Sequence, residues 1–197
     1  MLIVSNQKAN MNTLERLNTA LENGGYSTEQ ALTFFDELES VDLEFMIGRW
    51  QGAEFPTNHP MDGLLEASGW YGKEFVDAEF VHPLLFSDGN NNIFKVEPSP
   101  IAMNLGLSLS GLKNKAMKPI LTLMNLMLKT EKSQARIRMM EYRQKVSATM
   151  IYDNLPINDI FRKIDDNTVL GLMDFKGVPQ PFFFVLKRDM IRGSIQQ

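Results

Sequence analysis

The polar residues on the strand-like parts of this chain suit two kinds of chemistry. Arg138, Tyr142, Tyr152 and Arg162 fall on β-patterned segments, and Lys73 follows Trp70-Tyr71-Gly72. Arginine clamps a carboxylate or phosphate through paired N–H groups, and phenols and an ammonium add further donors. This set is therefore expected to hold the polar or anionic end of a ligand. Asp159, Asp174 and His82 are the acid–base candidates, placed on or beside the same segments. Strand residues alternate faces, so Arg138, Tyr142 and Tyr152 share one parity and Glu141, Arg143 and Asp153 the other, unless a bulge intervenes. The competing reading makes these residues a solvated exterior, with cross-strand ion pairs of about 0.2–1 kcal/mol each.

His59 and His82 are the only histidines, and each precedes a proline, which biases it towards extended backbone. Paired with Asp62 or Asp77, a histidine would move protons near neutral pH. The same pairing also serves to hold a turn, and that is the reading favoured here. Two histidines among scattered acids do not make a zinc site, so no metal is expected. No cofactor is expected either; a haem on a single histidine is the alternative, without an attachment motif to support it. The chain has no cysteine, which excludes disulfides and thiolate chemistry. It also lacks the Walker Gly-Lys-Ser/Thr ending and the Gly-x-Ser-x-Gly elbow.

These residues need elements to position them. Leu14, Leu17 and Leu21 mark a helix over 12–22 that ends at Gly24-Gly25, and Ser27 with Gln30 reads as the capping box of a second. Residues 43–52 alternate like a strand and contain Gly48-Arg49-Trp50-Gln51-Gly52. There two glycines permit close approach around a large ring, as at the closed end of a small β-barrel. Residues 101–132 break the β pattern. Pro119 starts an apolar stretch to Leu128 with Met117, Met124 and Met127 nearby, read as a methionine-rich helix over one opening. From Arg136 onward the chain reads as an antiparallel meander: a long strand to Met150, then strands over 158–164, 168–175 and 181–188. Phe182-Phe183-Phe184-Val185-Leu186 lacks polar alternation, so that strand is expected to be covered on both faces, outside by the N-terminal helices.

Composition narrows the partners. Hydrophobic content of 44% and charged content of 22% fit a soluble globular protein. No stretch is apolar enough to span a membrane, and the start of the chain does not read as a secretory signal, so a cytoplasmic location is expected. The net charge of −4 hides sixteen acids against five bases up to Pro100 and eight against fifteen beyond it. The two halves are expected to attract within one fold. The basic stretch over 113–138 carries no aromatic residue, which argues against nucleic acid. The oligomeric state is left open.

The residues Gly48-Arg-Trp-Gln-Gly, Phe55-Pro-Thr-Asn-His-Pro-Met-Asp-Gly-Leu-Leu, Trp70-Tyr-Gly-Lys and Val81-His-Pro-Leu-Leu-Phe resemble the GXWXG family. Arg138-Met-Met-Glu-Tyr-Arg, Ser147-Ala-Thr-Met-Ile-Tyr-Asp-Asn-Leu-Pro-Ile, Asp159-Ile-Phe-Arg-Lys, Thr168-Val-Leu-Gly-Leu-Met-Asp and Phe182-Phe-Phe-Val-Leu resemble its companion domain of unknown function. The series covers about three-quarters of the chain. The resemblance implies a lipocalin-like barrel without a fixed reaction. Gln144 departs from it, since a glycine is expected after Glu141-Tyr142-Arg143. The expected architecture is mainly β, a lipocalin-like antiparallel β-barrel with two N-terminal helices and an inserted methionine-rich helix. It forms a single structural domain over 1–197, divided into helices to 40, the GXWXG segment over 41–100, the insert over 101–132 and the meander over 133–197. The expected function is binding of a small, mostly apolar or amphipathic molecule in the barrel. An isomerase- or hydrolase-type enzyme is the first alternative, and an interaction protein filled by Met150, Phe161, Met173 and Phe184 the second.

Overall fold

The computed structural model describes residues 12–88, 92–100, 123 and 125–190. Two helices come first. α1 (Thr13–Glu22) and α2 (Thr28–Glu37) each begin with a reciprocal capping box, Asn12 with Glu15 and Ser27 with Gln30. Each box satisfies two backbone N–H groups that the first turn would otherwise leave open. β1 (Glu39–Ser40) follows. Asp42 then caps a single helical turn, α3 (Leu43–Met46), so the expected strand begins only at β2 (Gly48–Glu54). The alternating pattern over 43–46 is overridden because the Asp42 carboxylate accepts from Phe45 N.

α4 (Leu64–Ser68) leads to β3 (Trp70–Phe75), β4 (Val81–Ser87) and β5 (Ile93–Lys95). The second half contributes β6 (Ala135–Tyr142), β7 (Lys145–Tyr152), β8 (Ile157–Asp165), β9 (Thr168–Phe175) and β10 (Val178–Arg188). Among the described residues the strand pairings are antiparallel, in the order β1-β8-β7-β6-β4-β3-β2-β10-β9, with β5 beside β4 and β9 paired back to β8. The strands therefore close a ring. Its thinnest seam is β4 to β6, where Val81 opposite Ala135 is the one register pair, supported by Gln134 N to Val81 O and Ile137 N to Ala78 O.

The ring separates two apolar layers. Trp50, Phe75, Ile137, Met150, Phe161, Val169, Met173, Phe182, Phe184 and Leu186 are buried inside it. Outside, α1 and α2 lay Leu17, Phe34, Phe35 and Leu38 against Ile160, Leu170, Leu172, Phe183 and Val185. The Phe182–Leu186 run is thus covered on both faces, which accounts for its lack of polar alternation. The acidic first half and basic second half meet in Arg143–Asp36 and Arg138–Glu79 pairs.

The expected long strand over 136–150 is a hairpin. Arg143 and Gln144 both take positive φ, +50° and +64°, and Tyr142 pairs with Lys145. This is a two-residue turn of the kind in which glycine is favoured, so Gln144 stands at a position where glycine would relieve strain. The turn also changes parity. Arg138 and Tyr142 face outwards while Tyr152 faces inwards, since Ala135 and Ile137 share the inner face with Tyr152 and Met150.

Most of the expected methionine-rich helix, Pro119–Thr122 and Met124 included, lies outside the described residues. Of its end, Asn125 donates to Ser68 O at 3.2 Å, and Leu126 and Met127 are exposed. Among the described residues no helix is long and apolar enough to cross a membrane.

Candidate functional site

The ring is plugged at one end by the G-x-W-x-G segment. Gly48, Trp50 and Gly52 share the inner face of β2. Trp50 is fully buried, and its indole N–H donates to Met46 O at 2.7 Å, which ties the ring to α3. Arg188 on β10 reaches across this base. Its guanidinium lies 4.2 Å above the Trp50 ring and donates to Phe45 O and Ile47 O. Gly48 holds φ at +119°, a conformation that side chains resist, as the chain turns from α3 into β2. Gly52 leaves room for a second ring: a Cβ there would sit 2.1 Å from Trp70. Of the glycines flanking Trp50, Gly52 thus makes room for the Trp70 ring, and Gly48 serves the turn of the backbone.

Above the plug, three polar residues converge. Lys73 on β3 is opposite Trp50 in register and points inwards, and only 3% of its side chain is exposed. Its Nζ lies 2.8 Å from Oδ2 of Asp159 on β8, itself 1% exposed. Nζ also donates to Pro83 O at 3.2 Å and to the Tyr152 hydroxyl at 3.4 Å. Aromatic faces surround the ammonium, with the Phe184 centroid at 5.0 Å and those of Trp70 and Tyr152 at 5.6 Å. Such rings stabilise a desolvated cation.

Lys73 Nζ is the charge partner of Asp159 Oδ2, and Asp159 Oδ1 has no hydrogen-bond partner among the described residues. Burial raises the Asp159 carboxyl above its usual range, opposed by the Lys73 charge. Burial, with the Asp159 charge behind it, pushes the Tyr152 phenol well above its ordinary value. Both groups are biased towards their neutral forms.

The other candidate residues lie elsewhere. Arg138 faces out and donates to Ala78 O, Ile137 O and Glu79. Tyr142 packs among the outer apolar residues, its phenol raised by burial and by Asp174, which lies on the outer face of β9. Arg162 is buried on the outer face of β8 over the Phe35 ring. His82 is opposite Glu74 on the outside of β3–β4. Burial and the nearby Lys95 charge lower its pKa, and its Nδ1 is unpartnered among the described residues.

His59 occupies a turn. Its Nδ1 accepts from Met61 N at 3.0 Å, so Nε2 carries the proton and donates to Gln180 O at 3.2 Å. Asp62 Oδ2 accepts from the Thr57 and His59 backbone N–H groups rather than from the ring. Asp77 likewise accepts from Glu79 N and Phe80 N in the β3–β4 turn. Both carboxylates hold turns, and neither activates a histidine ring. Among the described residues no group of three or more histidines and carboxylates is placed to hold a metal ion.

Sequence reasoning did not find the pairing of Lys73 with Asp159, although it named both residues. They are far apart along the chain and meet only when the ring closes. It also passed over Arg188, and a cluster on the outside of β2–β3. There Arg49 and Tyr71 both donate to Asp189 Oδ2 at 2.7 Å, and Gln51 donates to the Tyr71 hydroxyl at 3.0 Å.

Comparison with known proteins gives two successive family matches. Residues 33–90 match the GXWXG protein family, and residues 133–188 match Domain of unknown function (DUF4334). A crystal structure of a protein from Thermomonospora curvata is similar over 91% of this chain and 99% of that chain, with 30% identity and a TM-score of 0.67. Among curated proteins none matches.

Proposed function

Starting from a chain that belongs to the family joining a GXWXG segment to a DUF4334 segment, we propose that the ring is a lipocalin-like barrel that binds a small, mostly apolar molecule by a polar end. The observation that carries this reading is the Lys73–Asp159 pair beside Tyr152 inside an otherwise apolar ring. A buried ion pair is seldom the most stable filling for such a space, and apolar residues of the same volume commonly do as well or better. A polar cluster within apolar walls is how small-molecule sites fix orientation. Lys73 and Tyr152 supply donors and Asp159 the acceptor, with Trp70 and Phe184 as walls.

The enzyme reading asks for two titratable groups driven apart in pKa, one to give and one to take a proton. Burial shifts Asp159 and Tyr152 in the same direction rather than apart. A filled interior is the other alternative. Met150, Phe161, Met173 and Phe184 are all buried in the inner layer, and the test below separates the two readings. A histidine-held haem has little to support it, since both His59 ring nitrogens are engaged and His82 faces outwards.

Native mass spectrometry of freshly purified protein tests the proposal directly. A retained molecule of a few hundred daltons, released on denaturation, is the expected result. Repeated absence, together with an unchanged melting temperature across lipids and small apolar compounds, would retire the binding reading in favour of a filled core.

A further inference from the structure

The hydrogen bonds around Lys73 constrain the chemistry of the ligand's polar end. The ammonium is already surrounded by three protein oxygens: Asp159 Oδ2, Pro83 O and the Tyr152 hydroxyl. Its charge is balanced by Asp159, so the pair is close to neutral as a unit. Asp159 Oδ1 still lacks a hydrogen-bond donor among the described residues. The Tyr152 hydroxyl accepts from Lys73, and its own proton meets no acceptor among them. The interior therefore offers one unused donor and the unused acceptors of a carboxylate, all grouped about one ammonium.

Resting on the binding reading above, we infer that the site selects a neutral head that both donates and accepts a hydrogen bond, an alcohol or an amide on an apolar body, and that it discriminates against carboxylates. An alcohol O–H or amide N–H donates to Asp159, and its oxygen accepts from Tyr152. An ether accepts only and leaves Asp159 bare, and a buried acceptor without a donor is costly. A carboxylate brings a third buried charge to a pair that is already balanced, next to Asp159 itself.

The test is a ligand series of one chain length, read by melting temperature and by isothermal titration near pH 8: octanol, octanamide, methyl octyl ether and octanoate. Octanol and octanamide are expected to bind roughly tenfold or more tightly than the ether and octanoate. Octanoate binding as well as octanol overturns the inference and leaves a ligand-binding barrel. So does equal binding of octanol and the ether, which would mean that the head is not read. No response to any of the four overturns this inference and the binding reading together.

An Asp159→Asn variant sharpens the result. It removes the anion and leaves the Lys73 charge unbalanced, so octanoate should gain on octanol, a reversal that a merely structural Asp159 would not produce. If that variant fails to fold, the four-ligand comparison on the unaltered protein decides alone.

Discussion

Strand β8 buries a charge on each of its faces, Asp159 towards the inside of the ring and Arg162 towards the helices, three residues apart. Both are 1% exposed. Their surroundings differ in kind. The Arg162 guanidinium lies 5.0 Å from the Phe35 ring centroid and donates to the main-chain carbonyls of Tyr142, Lys145 and Phe161. Those acceptors belong to β8 and to the two strands flanking the β6–β7 turn, so the arginine fastens elements of fixed geometry to one another. Asp159 instead faces the Lys73 side chain and retains an oxygen without a donor. A buried charge fastened to backbone carbonyls of three strands, with only its Nε unpartnered among the described residues, acts as a structural bracket. One held only by another side chain, with acceptor capacity facing the ring interior, has the makings of a site.

The largest effect tests the inner face. Asp159→Ala leaves the Lys73 ammonium buried and unbalanced, and the loss of one member of a buried pair should destabilise the fold by about 3–5 kcal/mol in urea denaturation. Replacing both members, Lys73→Met with Asp159→Leu, should recover most of that stability and abolish ligand binding. A double variant no more stable than Asp159→Ala would mean that the pair holds the ring together, and the contrast with Arg162 would collapse. On the outer face, Arg162→Met should cost less, about 1–3 kcal/mol for the carbonyls it leaves bare, and should not change affinity for any ligand. A shifted affinity would place Arg162 in communication with the interior.

Acidity offers a third probe of the same contrast. Burial raises the Asp159 carboxyl, so the folded chain keeps that proton to higher pH than the unfolded chain does. Ionisation of Asp159 therefore opposes folding. Its contribution is most favourable below the ordinary carboxylate range and declines as pH rises from about 4 through the raised value. Denaturation across that interval should show the stability of the protein falling relative to the Lys73→Met/Asp159→Leu form, which has no titrating group at this site. A relative rise would show that the Lys73 charge outweighs desolvation.

Much of this arrangement is legible in the sequence, because much of it is local. The Ser27–Gln30 box, the spacing of Gly48, Trp50 and Gly52, and the apolar run over 182–186 each carry their own explanation within a few residues. Period-two alternation alone puts Asp159 and Arg162 on opposite faces, since they are separated by an odd number of residues. The difficulty lies at Arg143–Gln144. A two-residue turn with positive φ and no glycine looks like continuing strand, and every inside–outside assignment across it is inverted. Strict alternation groups Arg138 and Tyr142 with Tyr152 for that reason. The meeting of Lys73 with Asp159 is illegible for another: it depends on ring closure through β3, β4, β6, β7 and β8, which no local pattern encodes.

The smallest expected effect bears on that inverted parity. Arg138 is partly exposed, pairs with Glu79 and donates to the Ala78 and Ile137 carbonyls at 2.9 Å. An exposed ion pair contributes little, because water and salt screen it and two long side chains must be ordered to form it. Arg138→Ala should therefore change stability by less than about 1 kcal/mol and leave the affinity for octanol and octanoate unaltered. The bonds to Ala78 and Ile137 add a local consequence, since they lie at the thin β4–β6 seam. Amide exchange at Ile137, whose N–H donates to Ala78 O, should quicken in the variant while exchange in β8 and β9 stays as it was. A loss of ligand affinity on removing Arg138 would place it among the inner residues after all, and with it the sequence-based parity that the Arg143–Gln144 turn reverses.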